Sequence, residues 1–182
     1  MEFVQPIRDT KQLEKMKDYL AKHNQRDYVL FVLGINSGLR ISDLLKLTVE
    51  DVKGKDRITL REEKTNKAKD FPLSNGQKKL IADYLKQQGL TTGSLFPSRK
   101  GGTPISRIQA YRVINDAAAH ARVKEAVGTH TMRKTFGYHA YKKGIDICTI
   151  QKLLNHSAPS VTLRYIGITQ DELDNVYLNM DL

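Results

Sequence analysis

The chain carries one cysteine among its 182 residues. Cys148 therefore has no partner for an internal disulfide, and a cysteine metal cluster is excluded. A reduced, cytoplasmic setting is the simple expectation. No run approaches the ~20 apolar residues that a membrane-spanning helix needs. The opening MEFVQPIRDTKQ has no apolar stretch of the signal-peptide kind, so no membrane partner is expected. A P-loop, a Gly-rich dinucleotide turn and an HExxH helix are all missing. There are only five histidines, and no acidic cluster of the type that holds two catalytic metals. Any chemistry on nucleic acid here falls to Arg, Lys, His and Tyr.

What the chain has in excess is positive charge. Thirty Lys and Arg against 20 Asp and Glu give a formal net charge of +10. A basic domain attracts polyanions, and nucleic acid is the commonest of them. The cations are spread along the chain, through Lys64, Lys67, Lys69, Arg99, Lys100, Arg107, Arg112, Arg133, Lys134, Lys142 and Lys143. With no lysine-rich tail, the positive surface is expected to belong to the folded domain.

Apolar spacing and capping residues predict a mainly α fold with a small antiparallel β-sheet. Asp9 is placed to cap a helix through KQLEKMKDYLAKH, with Leu13, Met16 and Leu20 on one face. RDYVLFVLGINSG reads as a buried helix ended by Gly38. A new helix opens near Ile41, so Arg40 stands at a sharp joint. From Thr48 to Leu73 the runs VEDV, DRITL and AKDFPL alternate and read as a small sheet whose last turn lies near EEKTNKAK. Ser74 with Gln77, and Ser106 with Gln109, form capping boxes that open two further helices. THTMRKTFGYHAYKKG and DICTIQKLLNH are helical again. A final segment opens on a Thr169–Glu172 box and carries the apolar stripe Leu173, Val176, Tyr177, Met180. With no obvious linker, residues 1–182 are expected to form one domain.

A few residues stand out from this frame. His130 and Arg133 are three apart at the start of a helix, on one face and near an N-terminus that favours anions; the plain alternative is a solvated surface pair. Arg40 lies between two apolar helices and needs an anionic partner. Asp43, one turn on, is its obvious neighbour for a surface pair; otherwise two distant arginines hold one phosphate between them. Lys64 sits at the predicted hairpin and can reach into a groove, with Lys67 and Lys69 as competitors. His156 follows the apolar Leu153–Leu154 step. Tyr165 comes nine positions later, expected in a loop beyond a short helix that follows a Ser-Ala-Pro-Ser break. His139 and Tyr138 read as packing or groove contacts, and His23 and His120 as incidental.

Taken in order, SGLRISDLLKL, EEKTNKAKDFPL, HTMRKTFGYHAYKKG and LLNHSAPSVTLRYIG resemble the tyrosine recombinase, or phage integrase, family over nearly the whole chain. The family pattern is an Arg after Gly-Leu, a hairpin Lys, His-x-x-Arg, a second His or Trp, and a Tyr about nine residues on. Arg40, Lys64, His130, Arg133, His156 and Tyr165 match it. The resemblance implies the catalytic-domain fold of these enzymes and a partner of double-stranded DNA. It also implies site-specific recombination or integration through a 3′-phosphotyrosyl intermediate, with no metal, nucleotide or other cofactor. Tyr165 would be the nucleophile, and Arg40 and Arg133 the phosphate clamps. His130 would be a base or a phosphate donor, Lys64 the acid for the leaving oxygen, and His156 a phosphate donor. It further implies self-association on DNA through the C-terminal helix. Most members place a separate helical clamping domain before this pattern, which here begins almost at Met1. Two other activities fit the same residues: religation to the same strand, as in type IB topoisomerases, and a DNA-binding regulator that does not cut.

Overall fold

The computed structural model describes residues 4–168, 174 and 177–180. Among the described residues up to Ile166 the order is four helices, a two-stranded hairpin, and five more helices, so the mainly α reading with a small antiparallel sheet holds. Local sequence explains most boundaries. Asp9 caps α1 (Thr10–His23), its side chain accepting from the Lys11 amide at 2.7 Å. Leu13, Met16 and Leu20 form the buried face. Asn24 caps α2 (Gln25–Ser37), which ends at Gly38 in the left-handed region with φ 60°. A β-carbon at Gly38 would also lie 2.6 Å from the Phe136 ring, so both backbone and space select glycine there.

α3 (Ile41–Leu45) then sends Leu44 and Leu45 into the core. VEDV is not part of the sheet, as its alternation suggests, but a single helical turn, α4 (Val49–Val52). Thr48 and Asp51 close a capping box around it, and this local hydrogen bonding outweighs the alternation. The sheet is β1 (Arg57–Arg61) paired antiparallel with β2 (Ala68–Pro72), Ile58 opposite Phe71 and Leu60 opposite Lys69. The Ser74–Gln77 and Ser106–Gln109 capping boxes open their helices, α5 (Asn75–Gln88) and α6 (Arg107–His120).

α1 packs against α2 and α6, and α2 against α5 and α7 (Thr131–Lys142). This larger core runs from Ile7 through Phe31, Leu44, Ile58, Tyr84 and Ile114 to Met132. A smaller apolar cluster joins the far end of α7 to α8 (Ile147–Leu153) and α9 (Pro159–Ile166) through Tyr138, Ile150, Leu154 and Ile166. Gly137 makes this junction close: a β-carbon there would meet Ile166 at 2.7 Å and Leu154 at 3.1 Å. Of the Leu153–Leu154 step only Leu154 is buried; Leu153 is 42% exposed. Tyr138 is buried, and His139 Nε2 lies 2.9 Å from the Ile7 carbonyl, so both are packing residues. The Thr169–Glu172 box and the residues Leu173 and Val176 lie outside the described residues. No helix among the described residues is long and apolar enough to cross a membrane.

Candidate active site

The joint after Gly38, the hairpin, the start of α7 and the α8–α9 turn converge on one face. Arg40 is the residue before α3, in an extended conformation. It lines a cleft of about 380 Å³ with Ser42, Lys64, Arg107 and His130. Lys64 is exposed in the turn between β1 and β2. His130 immediately precedes α7, at the cleft's other wall. Arg107, the first residue of α6, adds a further cation to this wall, and nothing in the sequence beyond its charge marks it out.

Arg133 is not half of a solvated pair. It is 2% exposed, and its guanidinium donates to the carbonyls of Gly38 at 2.5 Å and of Leu154. One arginine thereby ties the α2–α3 joint to the end of α8. Its partner in charge is also Arg40's partner, and it is not Asp43. Glu62 Oε1 lies 2.8 Å from an Arg40 terminal nitrogen and 3.6 Å from one of Arg133. Asp43 is instead buried, accepting from the Glu63 amide at 2.9 Å. Burial alone would raise the Glu62 carboxyl. Hydrogen bonds from Thr65 and Asn155, with the close Arg40 ion pair, outweigh that and hold it at about 2.

Lys69 departs from the expectation of a phosphate contact competing with Lys64. It is 9% exposed and donates to the carbonyls of Ser37 at 3.1 Å and Gly38 at 3.4 Å. Burial, followed by the charge of Arg133, pulls its ammonium down to about 8, while Glu62 pushes the other way. The sequence signal for both buried ions is alternation. Ile58, Leu60 and Glu62 share the inward face of one hairpin arm, and Lys69, Phe71 and Leu73 that of the other.

Tyr165 lies in the last turn of α9, not in a loop beyond it. Its hydroxyl is 3.4 Å from His130 Nδ1. The His156 ring meets its ring edge-on at 4.8 Å, and Lys134 Nζ stands 4.9 Å from the ring centre. Burial pushes the phenol up, and the charges of Arg133 and Arg40 partly offset this. Partial burial and then the charges of Lys134, Arg133, Lys64 and Arg40 hold the His130 imidazole below its ordinary value. His156, whose Nδ1 is 3.1 Å from the Thr162 hydroxyl, is brought to about 4 by burial and then Arg133. Both imidazoles are therefore shifted toward the neutral form, which can accept a proton.

Of the six residues singled out in the sequence, Arg40, Lys64 and His130 line this cleft, Tyr165 adjoins it through His130, His156 packs on Tyr165, and Arg133 lies buried beside Glu62, the ion-pair partner of Arg40. The geometry offers a phenol beside an imidazole, two guanidiniums, and a lysine on a long side chain at the rim. No group of three His, Cys, Asp or Glu able to hold a metal occurs among the described residues. A larger cavity of about 560 Å³ lies away from this site, between α4 and α5, with Val52, Ile81 and Leu85 in its wall and four lysines among its lining.

Known proteins share this sequence and fold. The sequence model described as the phage integrase family matches residues 8–172. The chain is 48% identical over 177 residues to "Probable integrase/recombinase YoeC" of Bacillus subtilis, covering 97% of each. It is 31% identical over 157 residues to "Tyrosine recombinase XerD" of Corynebacterium glutamicum, covering 84% of this chain and 51% of that one. The chain thus spans about half the length of that recombinase. A solved structure of XerA recombinase superposes with a TM-score of 0.80 at 21% identity, covering 98% of this chain and 66% of that chain.

Proposed function

The chain belongs to the phage integrase family, and on that premise we propose that it is a site-specific DNA recombinase whose nucleophile is Tyr165. Residues 1–182 are read as one catalytic domain acting on double-stranded DNA in the cytoplasm. The observation that carries the reading is the Tyr165 hydroxyl 3.4 Å from His130 Nδ1, beside a cleft that holds Arg40 and Lys64.

The chemistry follows from these groups. A phenol has an ordinary pKa of about 10, and this one is raised further, so attack requires a proton acceptor. His130 Nδ1 takes the Tyr165 proton as the phenolic oxygen attacks the scissile phosphorus. The bond from phosphorus to the 5′ oxygen breaks as the bond to Tyr165 forms. Lys64 donates a proton to the departing 5′ oxygen. Arg40 at the cleft, and Arg133 by its charge from behind, oppose the negative charge that builds on the non-bridging oxygens, and His156 hydrogen-bonds one of them. A 5′-hydroxyl from a partner strand then reverses each step, releasing Tyr165 and joining the new strand. One phosphoester is exchanged for another throughout, so no ATP is consumed.

Strand exchange between two duplexes needs several copies of the chain. The exposed Tyr177, Leu178 and Met180, at 82%, 78% and 57%, support self-association through the C-terminal segment. A chain ending at Ile168 is expected to bind DNA as single copies, and undiminished assembly on DNA would overturn that part.

The test is capture on a pool of nicked suicide duplexes with a randomised core, so that the target sequence is selected by the protein itself. The wild-type chain is expected to be retained covalently through a denaturing wash and the Tyr165→Phe chain is not. Equal retention, or none by the wild type, refutes the reading. The selected sequences placed in two duplexes then separate exchange between DNAs from simple religation.

A further inference from the structure

Glu62 has no place in the mechanism above, yet it is the charged group most completely withdrawn from solvent in this region. Its side chain is 0% exposed, against 15% for Arg40 and 2% for Arg133. A carboxylate in that position is retained only if paired and hydrogen-bonded. Each of its two oxygens is engaged, and each engagement leads to a different part of the site.

Oε1 faces the two arginines, 2.8 Å from Arg40 and 3.6 Å from Arg133. The Arg40 contact is an ion pair without a straight hydrogen bond. Oε2 accepts from the Thr65 hydroxyl at 2.7 Å, and Thr65 follows Lys64 in the hairpin turn. Oε2 also accepts from Asn155 Nδ2 at 2.7 Å. Asn155 adopts φ 51°, a left-handed conformation that asparagine tolerates, and it is the residue before His156. A single buried carboxylate therefore touches both guanidiniums and the residues adjoining Lys64 and His156.

We propose that Glu62 is a positioning residue for strand cleavage, fixing Arg40 against Arg133 and locking the Lys64 turn and the His156 turn to that pair. This rests on the cleavage reading above. Two guanidiniums brought together to hold one phosphate repel each other before the phosphate arrives. Glu62 offsets that repulsion from beneath, so the clamp is assembled in the free protein. With its oxygens taken up by Arg40, Thr65 and Asn155, and carrying the same sign of charge as a phosphate, the carboxylate acts through the arginines and does not contact substrate. Its charge lies close enough to an incoming phosphate to oppose binding. Its removal should consequently slow the chemical step without weakening DNA affinity, a split that a purely structural residue would not give. Misplacement of a catalytic group by about 1 Å costs on the order of 10²-fold in rate.

The experiment compares wild type, Glu62→Gln and Asn155→Ala by single-turnover cleavage of a saturating nicked suicide duplex taken from the selected pool. Affinity for the same duplex is measured by equilibrium binding of the Tyr165→Phe chain with and without Glu62→Gln. The expected result is cleavage slowed about 10²-fold by Glu62→Gln, with affinity unchanged or tighter. Asn155→Ala, which leaves the charge in place but cuts the tie to the His156 turn, should slow cleavage less. A Glu62→Gln rate within about twofold of wild type, or a rate loss matched by an equal affinity loss, overturns the proposal. Should Glu62→Gln fail to fold by circular dichroism, Asn155→Ala decides: a wild-type rate overturns the proposal and a slowed one supports it. Failure of the wild type to form any covalent complex strikes the cleavage reading itself, whereas full activity in both variants strikes only the role of Glu62.

Discussion

Protonating Glu62 should cost the folded chain a large part of its stability, and the size of the loss can be worked from its surroundings. The carboxyl is held at about 2 in the fold, against an ordinary value of 4.5. The fold therefore prefers the ionised form. This contribution is fully present above pH 4.5, where both states are ionised, and is lost as pH falls through the folded value near 2. A gap of about 2.5 pH units corresponds to about 3 kcal/mol, a sizeable share of the ~5–15 kcal/mol that stabilises a typical domain. Glu62→Gln isolates the effect, because a neutral amide resembles the protonated carboxyl in shape and cannot titrate. Asp56 and Asp70 also have lowered values from their Lys78 and Arg57 partners, but they lie on the surface and are common to both chains, so they cancel in the difference. Urea unfolding followed by circular dichroism at steps from pH 7 to pH 2.5 supplies the numbers. The advantage of wild type over Glu62→Gln should be constant from pH 7 to about 5 and then shrink by most of ~3 kcal/mol. Two curves that stay parallel across the whole range would refute the ion-pair account of Glu62.

Two other perturbations probe the nucleophile's surroundings. His130→Ala should slow covalent capture by about 10²–10⁴-fold. In the wild type, the acid limb of the cleavage-rate profile should fall below pH 6.5, because the imidazole is lowered from that value, and the limb should vanish in the variant. Gly137→Ala places a β-carbon 2.7 Å from Ile166, the residue after Tyr165. Overpacking of this kind costs about 1–3 kcal/mol, so melting should drop by about 2–4 °C per kcal/mol lost. Capture should fall with it as α9 shifts, and unchanged melting with unchanged capture would show that the α7–α9 contact does not set the position of Tyr165.

What is legible in the sequence is mostly local. Asp9, Ser74 with Gln77, and Ser106 with Gln109 cap their helices within a few residues of themselves, so their role is independent of the rest of the fold. Gly38 and Arg40 are legible for the same reason, since a left-handed glycine before an extended residue marks a joint. VEDV misleads because four residues satisfy strand and helix patterns equally, and only the Thr48–Asp51 box separates them. Tyr165 reads as a loop residue because its helix is short, yet no strong stop comes before Gly167 and the helix carries on through it. The arginine partner escapes a sequence reading for a different reason. Asp43 is near Arg40 in sequence, whereas Glu62 reaches it only once the hairpin folds back over the α2–α3 joint. Lys69 likewise looks like one more surface cation until β2 turns it inward to the Ser37 and Gly38 carbonyls. The site's motif residues are visible in order along the chain; the buried charges that hold them are tertiary.

Whether Tyr165 becomes covalently joined to DNA is tested most directly by proteolysis of the captured complex, followed by mass spectrometry of the nucleotide-bearing peptide. One modified residue is expected, Tyr165, carrying a 3′-phosphoryl end, with a free 5′-hydroxyl on the released strand. Attachment at Tyr138, Tyr141 or any other residue, or a 5′-phosphoryl linkage at Tyr165, would contradict the assignment of Tyr165 as the nucleophile of this chemistry.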